Sequence, residues 1–154
     1  MISKKEIKES SFKKSIESTV KAISRKSNIK VFFSGNERNP ISNEVVLPIV
    51  NKDISKEDRD IIRGKADSAS LIKKHHDPVL YDKMCPDSLE KENIFKCLEH
   101  FRCESLGSSK MLGVRKNLEQ LDNISFQNLI KNNQKLNMSE TIKLAFKKKL
   151  YGET

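Results

Sequence analysis

The sequence predicts a mainly α-helical domain with a small two-stranded β element, an α+β fold of about five to six helices. Apolar residues recur every three or four positions along most of the 154-residue chain, which is the period of an amphipathic helix. Two short runs of β-branched and aromatic residues near residues 29–48 are typical of strands. Serine, aspartate, proline and glycine residues separate these segments at positions suited to helix ends.

The first helix is predicted over residues 7–24. Its apolar residues follow at spacings of four, four and three, so they share one helix face: Phe12, Ile16, Val20 and Ile23. Strands are predicted at residues 29–33 and 45–47. Between them Gly35 can adopt a positive φ in a turn, and a polar loop runs through Pro40. We therefore expect a small antiparallel pair packed beside the helices.

The second helix is predicted to begin at Ser55, because acidic residues follow in the first turn, as in a capping box. Its apolar residues form one stripe: Ile62, Ala66, Ala69 and Ile72. Asp77 and Pro78 end this helix and open a short one, since proline is favoured in a first helical turn. Pro86 ends the short helix.

A long helix is predicted next, with Asp87 as its cap and an end near residue 106. Its apolar side consists of Ile94, Phe95, Leu98 and Phe101. Gly107 stands where a glycine just past the helix end is favoured. A loop over residues 107–113 leads into a further helix, whose apolar residues are Val114, Leu118 and Leu121.

The C-terminal part of the chain is predicted to hold one more helix. Residues 132–134 resemble a linker, and Ser139 is predicted to cap this last helix. We accordingly divide the chain into residues 1–130, a helical domain with the β pair near residues 29–48, and residues 131–154, a linker and C-terminal helix of the same region.

The net charge of +9 is concentrated at the two ends of the chain. Residues 1–30 contribute +6, residues 131–154 contribute +4, and the middle contributes −1. A lysine excess attracts phosphate groups or anionic membranes, but these stretches contain few aromatic residues for base stacking and match no nucleic-acid-binding motif. Solvated helix faces explain the charge better than nucleic-acid binding, which is kept as the alternative function.

The sequence also favours a cytoplasmic protein that does not associate with a membrane. Its three cysteines, Cys85, Cys97 and Cys103, are odd in number and form no C-x-x-C pair, which is typical of a reducing compartment. The N-terminus lacks the hydrophobic stretch of a signal peptide, and no window approaches the ~18 apolar residues of a membrane helix.

Motifs for nucleotide and metal chemistry are incomplete. No G-x-x-x-x-G-K-[ST] loop occurs, and residues 67–70 miss the D-x-S-x-S metal motif because Ala69 replaces its first serine. A second candidate metal site combines two adjacent histidines with three residues of the long helix: His75, His76, Cys97, His100 and Cys103. Residues three apart on a helix step around it by about 60° and so converge poorly on one ion. We therefore predict no metal ligand and no catalytic residue, with a small metalloenzyme as a lesser alternative.

Seven polar residues in the middle third are instead candidates for a structural or interface network: Arg63, Asp67, His76, Asp77, Glu99, Arg102 and Glu104. Glu99 and Arg102, at positions i and i+3, can pair within one helix. Arg102 could also reach Asp67 or Asp77 on the neighbouring helix. The alternative is an exposed ion pair worth about 0–1 kcal/mol. The residues alone leave both interpretations open.

The order of these landmarks is similar to that of a known family. The motifs are R-G-x-x-D at residues 63–67, H-H-D-P at 75–78, E-x-x-R-x-E-x-x-G at 99–107 and M-x-G-V-x-x-N-L at 111–118. Together with weaker matches between Phe12 and Gly152, they resemble the N-terminal region of the CobT subunit of the aerobic, ATP-dependent cobaltochelatase of cobalamin biosynthesis.

The resemblance implies a scaffold or assembly domain with a buried or interfacial polar network. In the family, this subunit acts with an AAA+ ATPase subunit and a large chelatase subunit to insert cobalt into hydrogenobyrinic acid a,c-diamide. ATP, Mg²⁺ and cobalt are thus implied for the complex, and no cofactor is expected on this chain. The family subunit continues through an acidic linker into a von Willebrand A domain, which we expect to be absent from this chain.

Overall fold

The computed structural model describes residues 4–35, 43–50 and 53–151. Within these ranges the chain forms six helices and two strands: α1 Lys4–Ser24, β1 Lys30–Phe33, β2 Glu44–Leu47, α2 Lys56–His75, α3 Pro78–Met84, α4 Leu89–Ser108, α5 Leu112–Lys131 and α6 Met138–Tyr151. The predicted α+β fold with a small two-stranded element is confirmed, and each predicted helix and strand is present.

α1 packs against α2 and β1 and carries part of the hydrophobic core. Its predicted stripe is confirmed, since Ile16 and Val20 are buried and Phe12 and Ile23 are half-buried. The other buried members of this first cluster come from the strand segments and α2: Ile29, Val45, Leu47, Val50, Ile62 and Ala66. The first cluster, with its half-buried neighbours, lies within residues 12–69.

β1 and β2 pair in parallel, from Lys30 opposite Glu44 to Phe33 opposite Leu47. The predicted antiparallel arrangement is therefore wrong. Four strand residues extend only about 13 Å, whereas a connection of about ten residues can span up to about 33 Å. The chain thus has enough length to return to the start of β1 before β2 begins.

Because β1 and β2 run in the same direction, they are not joined as the hairpin that an antiparallel pair would form. Lys30 N donates to Asn43 O at 2.9 Å, which places the end of the connection beside the beginning of β1. Gly35 does not adopt the left-handed conformation that a tight hairpin would use. The predicted loop through Pro40 lies outside the described residues.

α2 is the central helix, because it packs against α1, β2, α4 and α5. It begins as predicted, with Ser55 Oγ accepting a hydrogen bond from Asp58 N at 3.0 Å. One side of α2 joins the first cluster. On its other side the fully buried Leu71 forms a second cluster with Val114 and Leu118 of α5.

Two predicted helix caps are wrong. Ser88 rather than Asp87 occupies the N-cap position of α4, one residue later than predicted. Asn137 rather than Ser139 caps α6, because Asn137 Oδ1 accepts from Glu140 N and Glu140 Oε2 accepts from Asn137 N, both at 2.9 Å. This reciprocal pair is a complete capping box, and it fixes the start of α6.

Gly107 lies inside α4, so the prediction that it stands just past the end of this helix is also wrong. α4 extends to Ser108, and only residues 109–111 separate it from α5. A Cβ built on Gly107 would overlap the end of the Leu71 side chain on α2. A larger residue at position 107 would therefore have to displace this buried leucine.

α6 packs against α4, where the ring centroids of Phe101 and Phe146 lie 5.6 Å apart. Measured by length and hydropathy, none of the helices in the described ranges qualifies as a bilayer-spanning segment.

A candidate polar interface on the second helix

The contact between α2 and α4 is organised around Glu99. Arg102 donates to both carboxylate oxygens, from Nε to Oε2 at 2.7 Å and from Nη2 to Oε1 at 2.8 Å. Nδ1 of His76 lies 3.0 Å from Oε1. Arg102 Nη2 also donates to the main-chain oxygen of His75 at 2.9 Å. Together these contacts bind the C-terminal end of α2 to the middle of α4.

These donors favour the ionised form of Glu99. The pKa of Glu99 falls from 4.5 to about 2, mainly because Arg102 donates hydrogen bonds to the carboxylate and in part because His76 does. The thiol of Cys103 donates to Glu99 Oε1 at 3.6 Å. Burial, aided by the charge of Glu99, raises the pKa of Cys103 to about 12. Cys103 is therefore a neutral, buried thiol at physiological pH.

Glu99→Gln is expected to destabilise the protein by about 1–3 kcal/mol at pH 7, because hydrogen bonds to a charged group are worth that much. The folded-state pKa is depressed, so this contribution is complete above pH 4.5 and is lost as the pH falls toward 2. Urea unfolding at pH 7 and pH 3 measures both effects.

A matched control for Glu99→Gln is Glu119→Gln, which removes an exposed pair with Arg115 at 2.8 Å. Such i,i+4 surface pairs are worth about 0.3–0.5 kcal/mol, so the control should change little. If Glu99→Gln kept the acid sensitivity of the original protein between pH 4.5 and 3, the assigned pKa shift would be wrong.

Asp67 lies where α2 meets α5 and is 2% exposed. Asn117 Nδ2 donates to its Oδ2 at 2.8 Å. Burial raises the pKa of Asp67 from 3.8 to about 6, although the hydrogen bond from Asn117 and the charge of Arg63 act in the opposite direction. Ionisation of Asp67 therefore lowers the stability of the folded protein. Gly64, three residues earlier, lies against the main-chain oxygen of Asn117.

Glu104 on α4 is 5% exposed and accepts a hydrogen bond from Ser68 Oγ of α2 at 2.7 Å. Lys143 of α6 places its Nζ 3.7 Å from Glu104 Oε2 and 3.2 Å from Asp122 Oδ1 of α5. Four helices thus contribute side chains to this group of contacts. Because the lysine is one-third exposed, its ion pairs add less stability than the buried hydrogen bond.

The other two candidates, Arg63 and Asp77, have local roles. The Arg63 guanidinium lies 5.9 Å from the ring centroid of Phe12, which links α2 to α1. Asp77 Oδ1 accepts from the main-chain nitrogens of Val79 at 3.0 Å and Leu80 at 3.1 Å, so it caps α3. The predicted contact of Arg102 with Asp67 or Asp77 is replaced by its bond to the main chain at the end of α2.

One protein family accounts for almost the whole chain. The family described as cobalamin biosynthesis protein CobT matches residues 6–154. The chain belongs to the CobT family. This membership confirms the resemblance seen in the motifs and gives the chain a role in cobalamin biosynthesis. No solved structure gives a significant match.

In this CobT domain we give the name polar seam to a set of polar contacts that α2 and the residue after it make with α4 and α5. It consists of the pairs Asp67–Asn117, Ser68–Glu104, His76–Glu99 and His75–Arg102. The seam contains five of the seven predicted polar residues. Its four pairs form three separate groups rather than one continuous network, because only Glu99 and Arg102 bond to each other and join two of the pairs. The two predicted residues outside the seam are Arg63, which contacts Phe12 of α1, and Asp77, which caps α3.

Sequence reasoning missed several residues of this CobT domain that complete the contacts: Gly64, Ser68, Asn117 and Lys143. Ser68 and Asn117 lie 36 and 50 residues from their partners, so no local spacing relates them. Two signals were available: Gly64 interrupts a helical pattern, and Asn117 belongs to one of the family motifs.

The histidines and cysteines of this CobT domain are dispersed. Within residues 4–35, 43–50 and 53–151, no three His, Cys, Asp or Glu side chains are grouped so that they could hold a metal ion. His76 faces Glu99, while Cys97 and His100 line a cleft of about 550 Å³ between α4 and the start of α6. Cys85, Cys97 and Cys103 form no disulfide bond.

Proposed function

We propose that this domain is an assembly domain of the ATP-dependent cobaltochelatase. It holds an AAA+ ATPase subunit and a large chelatase subunit together, while ATP hydrolysis and the insertion of cobalt into hydrogenobyrinic acid a,c-diamide take place on those partners. Cobalt is a substrate of the complex, and ATP with Mg²⁺ is bound by the ATPase subunit. No residue of this chain is assigned to catalysis.

The polar seam is the observation that carries the proposal within the CobT family. Its three acids, Asp67, Glu99 and Glu104, are buried or nearly so, and each bonds to a side chain of another helix or turn of the chain. A carboxylate that takes part in acid–base chemistry must reach a substrate. Carboxylates that are bonded between helices instead fix one arrangement of those helices, and a fixed arrangement is what an assembly domain requires.

The proposal is tested by reconstituting the complex from purified proteins. We expect the chain to co-elute with at least one partner subunit on size-exclusion chromatography and to show no ATP hydrolysis alone. Cobalt insertion by the mixture should depend on the chain. ATP turnover by the chain alone, or equal cobalt insertion without it, would contradict the proposal.

A salt titration on the same sample tests the nucleic-acid alternative. Phosphate contacts make binding to DNA or RNA fall steeply as salt rises. Tight duplex binding at low salt that is lost by orders of magnitude at physiological salt, together with no binding to either subunit, would favour that alternative.

A further inference from the structure

The last helix, α6, covers part of α4 without contributing a buried side chain of its own. Its described side chains, those of Met138, residues 140–146 and Lys149, are all exposed or half-buried. Among the described helices and strands, the α6 backbone packs against α4 alone. By contrast, α1, α2, α4 and α5 each contain several buried residues. A segment with so few buried contacts opens at a lower free energy than the one at which the whole domain unfolds.

Two side chains of α6 fasten it to the other helices. The ring of Phe146 packs against that of Phe101 on α4. Lys143 places its Nζ between two carboxylates, those of Glu104 on α4 and Asp122 on α5. Phe146 is 44% exposed and the Lys143 side chain 33%, so water reaches both contacts. Because water and salt screen exposed ion pairs, these contacts hold α6 weakly.

The residues beneath α6 are well covered, although α6 itself is not. Phe101 and Glu104 are 7% and 5% exposed. Two clefts border α6: the cleft of about 550 Å³ against α4, and a second cleft of about 250 Å³ against α5. Lys143 lines both of them. Displacement of α6 would therefore join the two clefts into one groove that contains Phe101 and Glu104.

We propose that α6 is a latch, which opens and closes on α4 while the rest of the domain stays folded. The closed form covers Phe101 and Glu104, and the open form exposes both to solvent. Ser68 of α2 donates to Glu104 in either form, because this bond does not involve α6. The exposed residues 132–137 between α5 and α6 act as the hinge. The latch controls access to this surface of α4. It goes beyond the proposed function and is tested without any partner subunit.

Native-state hydrogen exchange of the full chain, followed by mass spectrometry, tests the latch. The amides of α6 should be protected, but at least about ten-fold less than those in the middle of α2, because they exchange through a local opening. Ile62→Val removes one methylene group from the first cluster and should lower the protection of the α2 amides about five-fold. The protection of the α6 amides should stay within about two-fold of the original value, because the open and the closed form both contain the first cluster.

A second variant tests the fastening by Lys143. Lys143→Met keeps a similar helix propensity but removes the ion pairs with Glu104 and Asp122. The protection of the α6 amides should therefore fall about three- to ten-fold. Lys149→Met, at an exposed position of the same helix, is the matched control and should change this protection by no more than about two-fold.

Three outcomes would overturn the latch. If Ile62→Val lowers the protection of α2 and α6 equally, α6 opens only when the whole domain unfolds. If Lys143→Met and Lys149→Met have equal effects, Lys143 does not fasten α6. If the α6 amides show no protection at all, the closed form is not populated. The latch is supported when α6 responds to Lys143→Met and not to Ile62→Val.

Discussion

Gly64→Ala is expected to destabilise the protein by about 1–3 kcal/mol, the usual cost of inserting an extra methyl group into a packed contact. The new Cβ would lie 2.6 Å from Leu121 Cβ and 2.8 Å from the main-chain oxygen of Asn117. Neither atom is the flexible end of a side chain, so α2 and α5 must shift apart at this contact. The better helix propensity of alanine, about 1 kcal/mol, offsets only part of this strain.

Gly113→Ala is the matched control for this substitution. Gly113 also lies in a helix, but a Cβ built there meets no heavy atom within 4 Å in the part of the chain that the structure describes. The control should be neutral or up to about 1 kcal/mol more stable. Thermal unfolding distinguishes the two, since 1 kcal/mol shifts Tm by roughly 2–4 °C in a domain of this size. Equal Tm values for both variants would show that α2 and α5 are not closely packed.

Asp67→Asn is expected to stabilise the protein at neutral pH, an unusual result for a buried residue. The pKa of Asp67 is raised from 3.8 to about 6, which corresponds to about 3 kcal/mol of penalty once the carboxyl group is ionised. Because the folded-state pKa is raised, the folded protein carries no such penalty below pH 3.8, where the acid is protonated. The penalty grows, and stability is lost, as the pH rises through 6. Asparagine imitates the neutral acid, and its Oδ1 can still accept from Asn117 Nδ2.

The gain should therefore depend on pH. At pH 7.5 Asp67→Asn should be up to about 3 kcal/mol more stable than the original protein, and at pH 4 the two should agree within about 0.5 kcal/mol. Asp87→Asn, at an exposed position, controls for the loss of one negative charge. Urea unfolding at the two pH values measures the difference. A variant that is less stable at pH 7.5 would mean that Asp67 is stabilised as a carboxylate.

Apolar periodicity predicted α1 well because α1 uses a single buried face, as Ile16 and Val20 show. It predicted α2 less well. The predicted stripe included Ile72, which is half-buried, while Leu71 beside it is fully buried. The reason is that α2 is packed on several sides, so its buried residues do not form one stripe. The parallel direction of the two strands could not be predicted from the sequence either, because runs of four residues carry little information about strand direction.

Some contacts of the candidate site could likewise be predicted from the sequence and others could not. The pairing of Glu99 with Arg102 follows from their spacing on one helix and is present. The partners of Asp67 and Glu104 come from helices that meet only in the folded chain, at separations of 50 and 36 residues. Gly107 looked like a helix terminator because glycine favours that position, yet its actual contact is with Leu71 on another helix. Such contacts depend on how helices pack, which local patterns do not encode.

The two hydrophobic clusters share α2 but draw on different stretches of the chain. All residues of the first cluster precede residue 70, whereas the second needs Val114 and Leu118. Ribosomes add about 5–20 residues per second, so the first cluster can begin to condense a few seconds before α5 has been synthesised. During that interval the side of α2 that bears Leu71 faces water. Until α5 covers it, this apolar side can associate with other exposed apolar surfaces.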